Sequence, residues 1–190
     1  QIVSPTSDGQ FLSLGCNPDV SLDIMEQFAK GVDYPVACVA QVNRDLPFMY
    51  GDALVPRTKF DFILDAPHLE FNIFSTPKMS VSDVDHMIGL YSSTLVKDAG
   101  ELQIGIGALG DALVYSLLLR NKNNDQYQRL IRHLEIESKF GAIIKRKGEL
   151  SPFQEGLFGA TEMMVDGFMH LVDGGIIKRC VYDDLVLQRL

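Results

Sequence analysis

Short apolar runs alternate along this chain with longer stretches in which apolar residues return every three or four positions. Phe11 to Leu14 follows an Asp8-Gly9 turn and reads as a strand. Val36 to Val42, VACVAQV, is Val-rich and too short for most helices, which predicts a buried strand of the parallel kind. Phe60 to Leu64 predicts another. Asn17-Pro18 has the form of a helix start, a capping side chain before a proline at the first helical position. Val20, Ile24 and Phe28 would then face the core, and Gly31 would end the helix.

The clearest helix is predicted over residues 82–98. Ser82 is its cap, Asp83 and Asp85 lie in its first turn, and Gly100 is its stop. Val84, Met87, Ile88, Tyr91 and Leu95 make one stripe, and burying such side chains contributes about 1.5–3 kcal/mol each, so the stripe is expected to pack. Residues 43–56 form a long irregular connector of a functional kind, and residues 65–79, with Pro67 and Pro77, read as a loop with a short strand near Phe71 to Phe74. A boundary between two lobes is expected within residues 65–82.

Further on, Leu102 to Ile106 predicts a strand, followed by a glycine turn and a helix from Asp111 to Leu119. NKNNDQ, residues 121–126, reads as a polar, solvent-facing break, and residues 127–140 as a helix carrying Leu130, Ile131, Leu134 and Ile136. Residues 141–153 read as a strand and turn. Leu157 to Thr161 predicts a buried strand, Met164, Phe168, Leu171, Val172 and Gly175 a helix, and Ile176 to Tyr182 a last strand. Strands alternating with helices predict an α/β architecture with a mostly parallel sheet.

Composition narrows the function. Hydrophobic residues at 46% and charged residues at 22% are ordinary for a folded globular chain. A formal charge of −8 and the lack of a basic stripe argue against a nucleic-acid partner, and Lys145-Arg146-Lys147 reads as a solvated turn. Cys16, Cys38 and Cys180 show no CxxC spacing, which points to a reducing, cytoplasmic setting; His68, His86, His133 and His170 stand singly, so no metal is expected. No apolar run reaches the roughly eighteen residues a membrane helix needs. The start at Gln1 predicts an excerpt of a longer chain.

Two stretches carry candidate chemistry. Gly105, Gly107 and Gly110 form a literal GxGxxG between a predicted strand and helix, the context of a dinucleotide-binding turn. Such a turn also needs an acid about twenty residues later at a strand end, and Glu135 and Glu137 have no strand ahead of them, which weakens a nicotinamide reading. Bare backbone N–H groups at the helix start still suit an anion or oxyanion, or the turn serves only close packing. Glu162 sits where a buried run meets a helix, a position that can be both substrate-facing and partly desolvated, with its pKa raised by burial. The alternative is a first-turn acid that complements the helix dipole.

Together LQIGIGALGDAL (102–113) and GLFGATEMMVDGFMHLVDGGIIKR (156–179) resemble the acetyl-CoA hydrolase/CoA-transferase family, of the acetate/4-hydroxybutyrate CoA-transferase kind. Asn43, Pro47, Gly51 and Asp52, and SPTSDGQFLSLG near the start, resemble its preceding lobe. The resemblance implies an open α/β/α sandwich, with residues 1–78 as the end of the N-terminal lobe, residues 79–190 as the start of the C-terminal lobe, and a CoA thioester site between lobes. It implies Glu162 as a nucleophile passing through a glutamyl-CoA thioester, with Gly105, Gly107 and Ala108 along the thioester. The net reaction would be CoA transfer between carboxylates or acyl-CoA hydrolysis. CoA and acyl-CoA would be substrates, with no permanently bound cofactor, and the protein would be a homodimer. Asp166, one helical turn on, would orient the acid or cap a loop. The family's other glycine-rich segments are missing from this chain, which puts activity of the piece alone in doubt. A CoA- or nucleotide-binding module without chemistry and an NAD(P)-dependent oxidoreductase are the competing readings.

Overall fold

In the computed structural model, residues 1–16, 18–75, 77–161, 163–182 and 184–189 are described. The chain divides into two compact units, Gln1–Ser75 and Thr76–Leu190.

In the first unit, Asp8 accepts from the Gln10 N–H at 3.0 Å and Gly9 takes φ +66°, so the chain reverses between β1 (Ile2–Pro5) and β2 (Phe11–Ser13). These two pair antiparallel, with Ser4 opposite Ser13. β3 (Val39–Val42) and β5 (Phe62–Leu64) join as parallel neighbours and β4 (Leu54–Pro56) as an antiparallel one, in the order β4-β2-β1-β3-β5. Val3, Leu12, Leu14, Ala40, Val42, Val55 and Phe60 are the buried core of the sheet. Helix α1 (Ser21–Ala29) covers it with Leu22 and Met25, while Val20 and Ile24 are exposed. That corrects the face expected from Val20, Ile24 and Phe28: the helix enters at Val20 and is rotated so that residues 22 and 25 point inward. Asn17, the expected cap, lies outside the described residues.

The connector 43–56 contains β4, which its prolines and glycine concealed. No strand forms at residues 71–74. The buried Asn43 side chain donates to the Phe71 carbonyl at 2.7 Å and accepts from the Asp45 N–H at 3.0 Å, so a side-chain bond holds this segment in place of a ladder.

In the second unit, α2 (Asp83–Ser93) starts in a capping box: the Asp85 N–H donates to Ser82 Oγ at 3.2 Å and the Ser82 N–H to Asp85 Oδ2 at 3.0 Å. Then follow β6 (Glu101–Gln103), α3 (Ala108–Lys122), α4 (Asn124–His133), α5 (Ile136–Lys147), β7 (Phe158–Ala160) and α6 (Asp166–Asp173). β6 and β7 pair parallel, and Leu157 makes a parallel bridge to Ile177 in place of the strand expected over 176–182. Among the described residues three of the five strand pairings are parallel, and the chain has the α/β architecture its pattern predicts.

Two features of this unit depart from the pattern. Helix α2 buries Gly89, Leu90 and Ser93, not the stripe Val84, Ile88 and Leu95, which is exposed. Gly89 decides this, because a Cβ there would stand 2.6 Å from the Ala112 backbone carbon of α3; the two helices meet through that gap. Residues 141–147 continue α5, burying Ile144 beyond Ile136, and Lys145, Arg146 and Lys147 form its last turn, where cations favour the helix dipole.

Arg120 is fully buried and ties the unit together. It donates to the carbonyls of Ser151 (2.7 Å), Ser93 (3.2 Å) and Val96 (2.5 Å) and stacks 4.2 Å over the Phe153 ring. The expected polar break at 121–126 is a structural joint as well. Asn121 donates to Gly174 O at 3.0 Å and accepts from the Phe153 N–H at 3.0 Å, while Asn124 donates to Arg120 O and Leu150 O, both at 2.9 Å.

Candidate functional site

β6 and β7 lie side by side in register, Glu101 against Phe158, Leu102 against Gly159 and Gln103 against Ala160, and the Ile104 N–H continues the ladder to Ala160 O at 3.3 Å. Their carboxyl ends therefore open together, the position where parallel α/β sheets collect ligands. From β6 the chain enters Gly105-Ile106-Gly107 and α3. From β7 it enters Thr161 and the short segment before α6.

The glycines on the α3 side differ in what they permit. Gly107 is the N-cap of α3 at φ +123°, a conformation that side chains rarely adopt, and it gives the helix no side-chain cap. Among the described residues nothing lies within 4 Å of where a Cβ would stand on Gly105 or Gly107, so the backbone at both is free of them. Gly110 serves packing: a Cβ there would fall 2.8 Å from Gly105 O and 3.0 Å from Ile104 Cγ2. Ala108 opens α3 and is half-buried. A fifteen-residue helix aims the positive end of its dipole at this turn, which suits negative charge.

On the β7 side, Thr161 Oγ1 is 3.0 Å from Ile104 O and 2.5 Å from Met163 O, with one proton to donate to either. Given to Ile104 O, that proton ties the exit of β7 to the residue that enters the glycine turn. Glu162 itself lies outside the described residues. Helix α6 begins at Asp166, which is the acid of its first turn. The expectation that Asp166 orients a neighbouring acid or caps a loop meets a different partner here: Asp166 pairs with Lys78, and that hydrogen bond holds its carboxyl below the usual range and raises the lysine.

Glycines also set α6 against its surroundings. A Cβ on Gly159 would fall 2.3 Å from the Phe168 ring, and one on Gly167 2.8 Å from Val114 Cγ2. Phe168 can thus lie flat on β7, and α6 can approach α3. Between the two helices a cleft of about 260 Å³ is lined by Lys78, Asp111, Tyr115, Asp166 and His170, among others. Lys78 gave no sequence signal, because it stands in an aperiodic proline-containing segment.

A nicotinamide site finds no support in the region that should hold its ribose acid. Glu135 and Glu137 stand at the start of α5, with Glu135 paired to Lys139 at 2.9 Å, not at a strand end. Among the described residues no group of three or more His, Cys, Asp or Glu could hold a metal ion, and no helix is long and apolar enough to cross a membrane.

No family model matches the chain. It is 31% identical over 140 residues to a 4-hydroxybutyrate coenzyme A transferase of Clostridium kluyveri, a match covering 74% of this chain and 24% of that protein. Among solved structures it resembles a 4-hydroxybutyrate CoA-transferase from Porphyromonas gingivalis (26% identity, TM-score 0.56), over 93% of this chain and 34% of the other. RipA from Yersinia pestis shares the fold (20% identity, TM-score 0.60), over 93% of this chain and 31% of that one. The chain thus spans about a quarter of the curated relative and about a third of these solved chains.

Proposed function

The chain belongs to the CoA-transferase family, and on that premise we propose that it carries the nucleophile-bearing part of an acyl-CoA:carboxylate CoA-transferase site. Glu162 is the nucleophile, and the turn at Gly105, Gly107 and Ala108 receives the thioester. Residues 1–78 correspond to the end of an N-terminal lobe and residues 79–190 to the start of a C-terminal one.

The chemistry divides one exchange into steps of carboxylate and thiolate attack. An oxygen of the Glu162 carboxylate attacks the acyl carbon of the acyl-CoA; the C–S bond breaks, leaving an acyl–glutamyl anhydride and CoA thiolate. The thiolate attacks the glutamyl carbonyl, forms glutamyl-CoA, and expels the first carboxylate. An acceptor carboxylate reverses the sequence, leaving as its CoA thioester and restoring Glu162. Each acyl attack places negative charge on a carbonyl oxygen, and unshielded N–H groups at the start of α3 would stabilise it. Water attacking the anhydride instead would make the net reaction hydrolysis. We favour transfer because the two relatives above named as 4-hydroxybutyrate enzymes are transferases.

The observation that supports this reading most is the joint exit of β6 and β7, with Thr161 bonded to Ile104 O beside the glycine turn. The test is exchange of CoA from acetyl-CoA to a second, isotopically labelled carboxylate. Glu162→Ala should abolish exchange and leave circular dichroism unchanged; a variant that still exchanges CoA would remove Glu162 from the mechanism.

A further inference from the structure

Beyond the β6–β7 ladder the two strand exits have few links. Among the described residues the Ile104 N–H to Ala160 O bond, at 3.3 Å, is the last rung. On the β6 side the chain then enters Gly105 and Gly107, where none of those residues comes within 4 Å of a Cβ position. On the β7 side two points fix the segment that leads to α6. Val165, 8% exposed, lies in the core with Ile104 and Phe168. Thr161 is half-buried, and its hydroxyl has two carbonyls about it, Ile104 O at 3.0 Å and Met163 O at 2.5 Å.

The hydroxyl has one proton, and either carbonyl can accept it. Both oxygens carry partial negative charge, so a donor between them is what lets them converge. Ile104 is buried, and a buried carbonyl deprived of its donor is costly. The Thr161 hydroxyl therefore sets how the segment after β7 stands against the turn after β6, whichever oxygen holds the proton. Position 162 is the next residue along.

We propose that Thr161 is a positioning residue whose hydroxyl decides between transfer and hydrolysis, an inference that rests on the glutamyl-CoA chemistry proposed above. The acyl–glutamyl anhydride has two competitors. CoA thiolate attacks the glutamyl carbonyl carbon, forms the C–S bond and expels the acyl group as carboxylate. Water attacking the anhydride breaks the same C–O bridge, restores the Glu162 carboxylate and also releases the acyl carboxylate. Of the two protons it sets free, one converts the CoA thiolate to thiol and the other enters solvent. Recapture by thiolate depends on the glutamyl carbonyl staying aligned with the turn where the thioester was cleaved, whereas attack by water demands far less alignment. Holding the Glu162 segment to that turn therefore favours transfer, and loosening it favours hydrolysis.

Thr161→Val keeps the branched shape and removes the proton; Thr161→Ser keeps the proton. The whole chain is given acetyl-CoA and isotopically labelled acetate, and labelled acetyl-CoA and free thiol are counted in one reaction, with circular dichroism as the check on fold. Thr161→Val should lower kcat for exchange at least about tenfold, leave KM for acetyl-CoA within about twofold, and raise thiol released per exchange at least about threefold. Thr161→Ser should restore all three. Hydrogen exchange of the amides at 104–107 and 163–165 reads the tether without turnover, and should quicken in the valine variant alone. Unchanged kcat and thiol ratio in Thr161→Val would overturn the proposal and leave Glu162 in its role. So would a serine variant as impaired as the valine one, or amide exchange that the valine leaves unaltered. Failure of the underlying chemistry shows differently: a Glu162→Ala chain that still exchanges CoA removes the nucleophile, and this proposal with it, whatever the valine variant does.

Discussion

Asp98 is a demanding place to test how this unit is held together. Its two carboxylate oxygens accept four backbone N–H groups: Ala99 (3.0 Å) and Gly156 (2.8 Å) at Oδ1, Gln154 (2.8 Å) and Glu155 (3.0 Å) at Oδ2. The loop 154–156 is thereby fixed just before β7 begins. A hydrogen bond to a charged group is worth about 1.5–3 kcal/mol when shielded. Asp98 is only partly shielded and water can replace it, so all four together come to about 2–4 kcal/mol in Asp98→Ala. At about 4 °C per kcal/mol for a unit of this size, calorimetry should show the melting temperature falling by roughly 8–16 °C. Asp98→Asn should recover little, because its amide NH2 would face the Gln154 and Glu155 donors.

The pH dependence gives a second constraint on the same residue. Burial pushes the Asp98 carboxyl up, but the four N–H donors outweigh it and hold the folded-state pKa below the ordinary value. A depressed folded pKa means the stabilisation is complete above the unfolded pKa of about 3.9 and is lost as pH falls through the folded value. The gap between wild type and Asp98→Ala should therefore be widest at neutral pH and close below about pH 4. Hydrogen exchange at Gly156 and Ala99 should speed up in the variant. An unchanged melting temperature, or a gap that is flat with pH, would refute the account of this loop.

Arg120→Leu should destabilise the unit by about 3 kcal/mol in denaturant titration, since three carbonyls lose their donor. Arg120→Lys should be nearly as damaging, because one ammonium cannot both span those carbonyls and stack on Phe153. Gly110→Ala should leave helix content intact but lower CoA exchange by at least about tenfold, because its Cβ would press on Gly105 O and displace the turn. Full exchange activity in that variant would show that the turn tolerates displacement.

How much of this was legible in the sequence depended on whether local chemistry or tertiary packing decided each element. Asp8-Gly9, Ser82 and the glycines after β6 act through their own backbone neighbours, and the hairpin, the α2 start and the strand-turn-helix follow from them. The buried face of α2 was not legible, because apolar spacing marks a stripe without saying what it meets. Gly89 placed the α3 backbone on the opposite side. The second half of α5, residues 141–147, reads as a strand and turn because Ile144 is its one buried position beyond Ile136 and its end is basic. β4 stayed hidden in a Pro- and Gly-containing connector. At the site, the glycine turn and the approach to position 162 could be read from strand-to-helix spacing. Lys78 and its pairing with Asp166 could not, since an ion pair across eighty-eight positions leaves no periodic trace.

The central claim is that the Glu162 side chain becomes covalently joined to CoA. Incubating the chain with acetyl-CoA, reducing with borohydride and mapping peptides by mass spectrometry tests it most directly. A thioester at Glu162 should be reduced to the alcohol, with the mass change confined to the peptide that contains residue 162 and absent without acetyl-CoA. Recovery of that peptide unmodified from a preparation that turns over acyl-CoA, or a reduced residue elsewhere, would contradict the account.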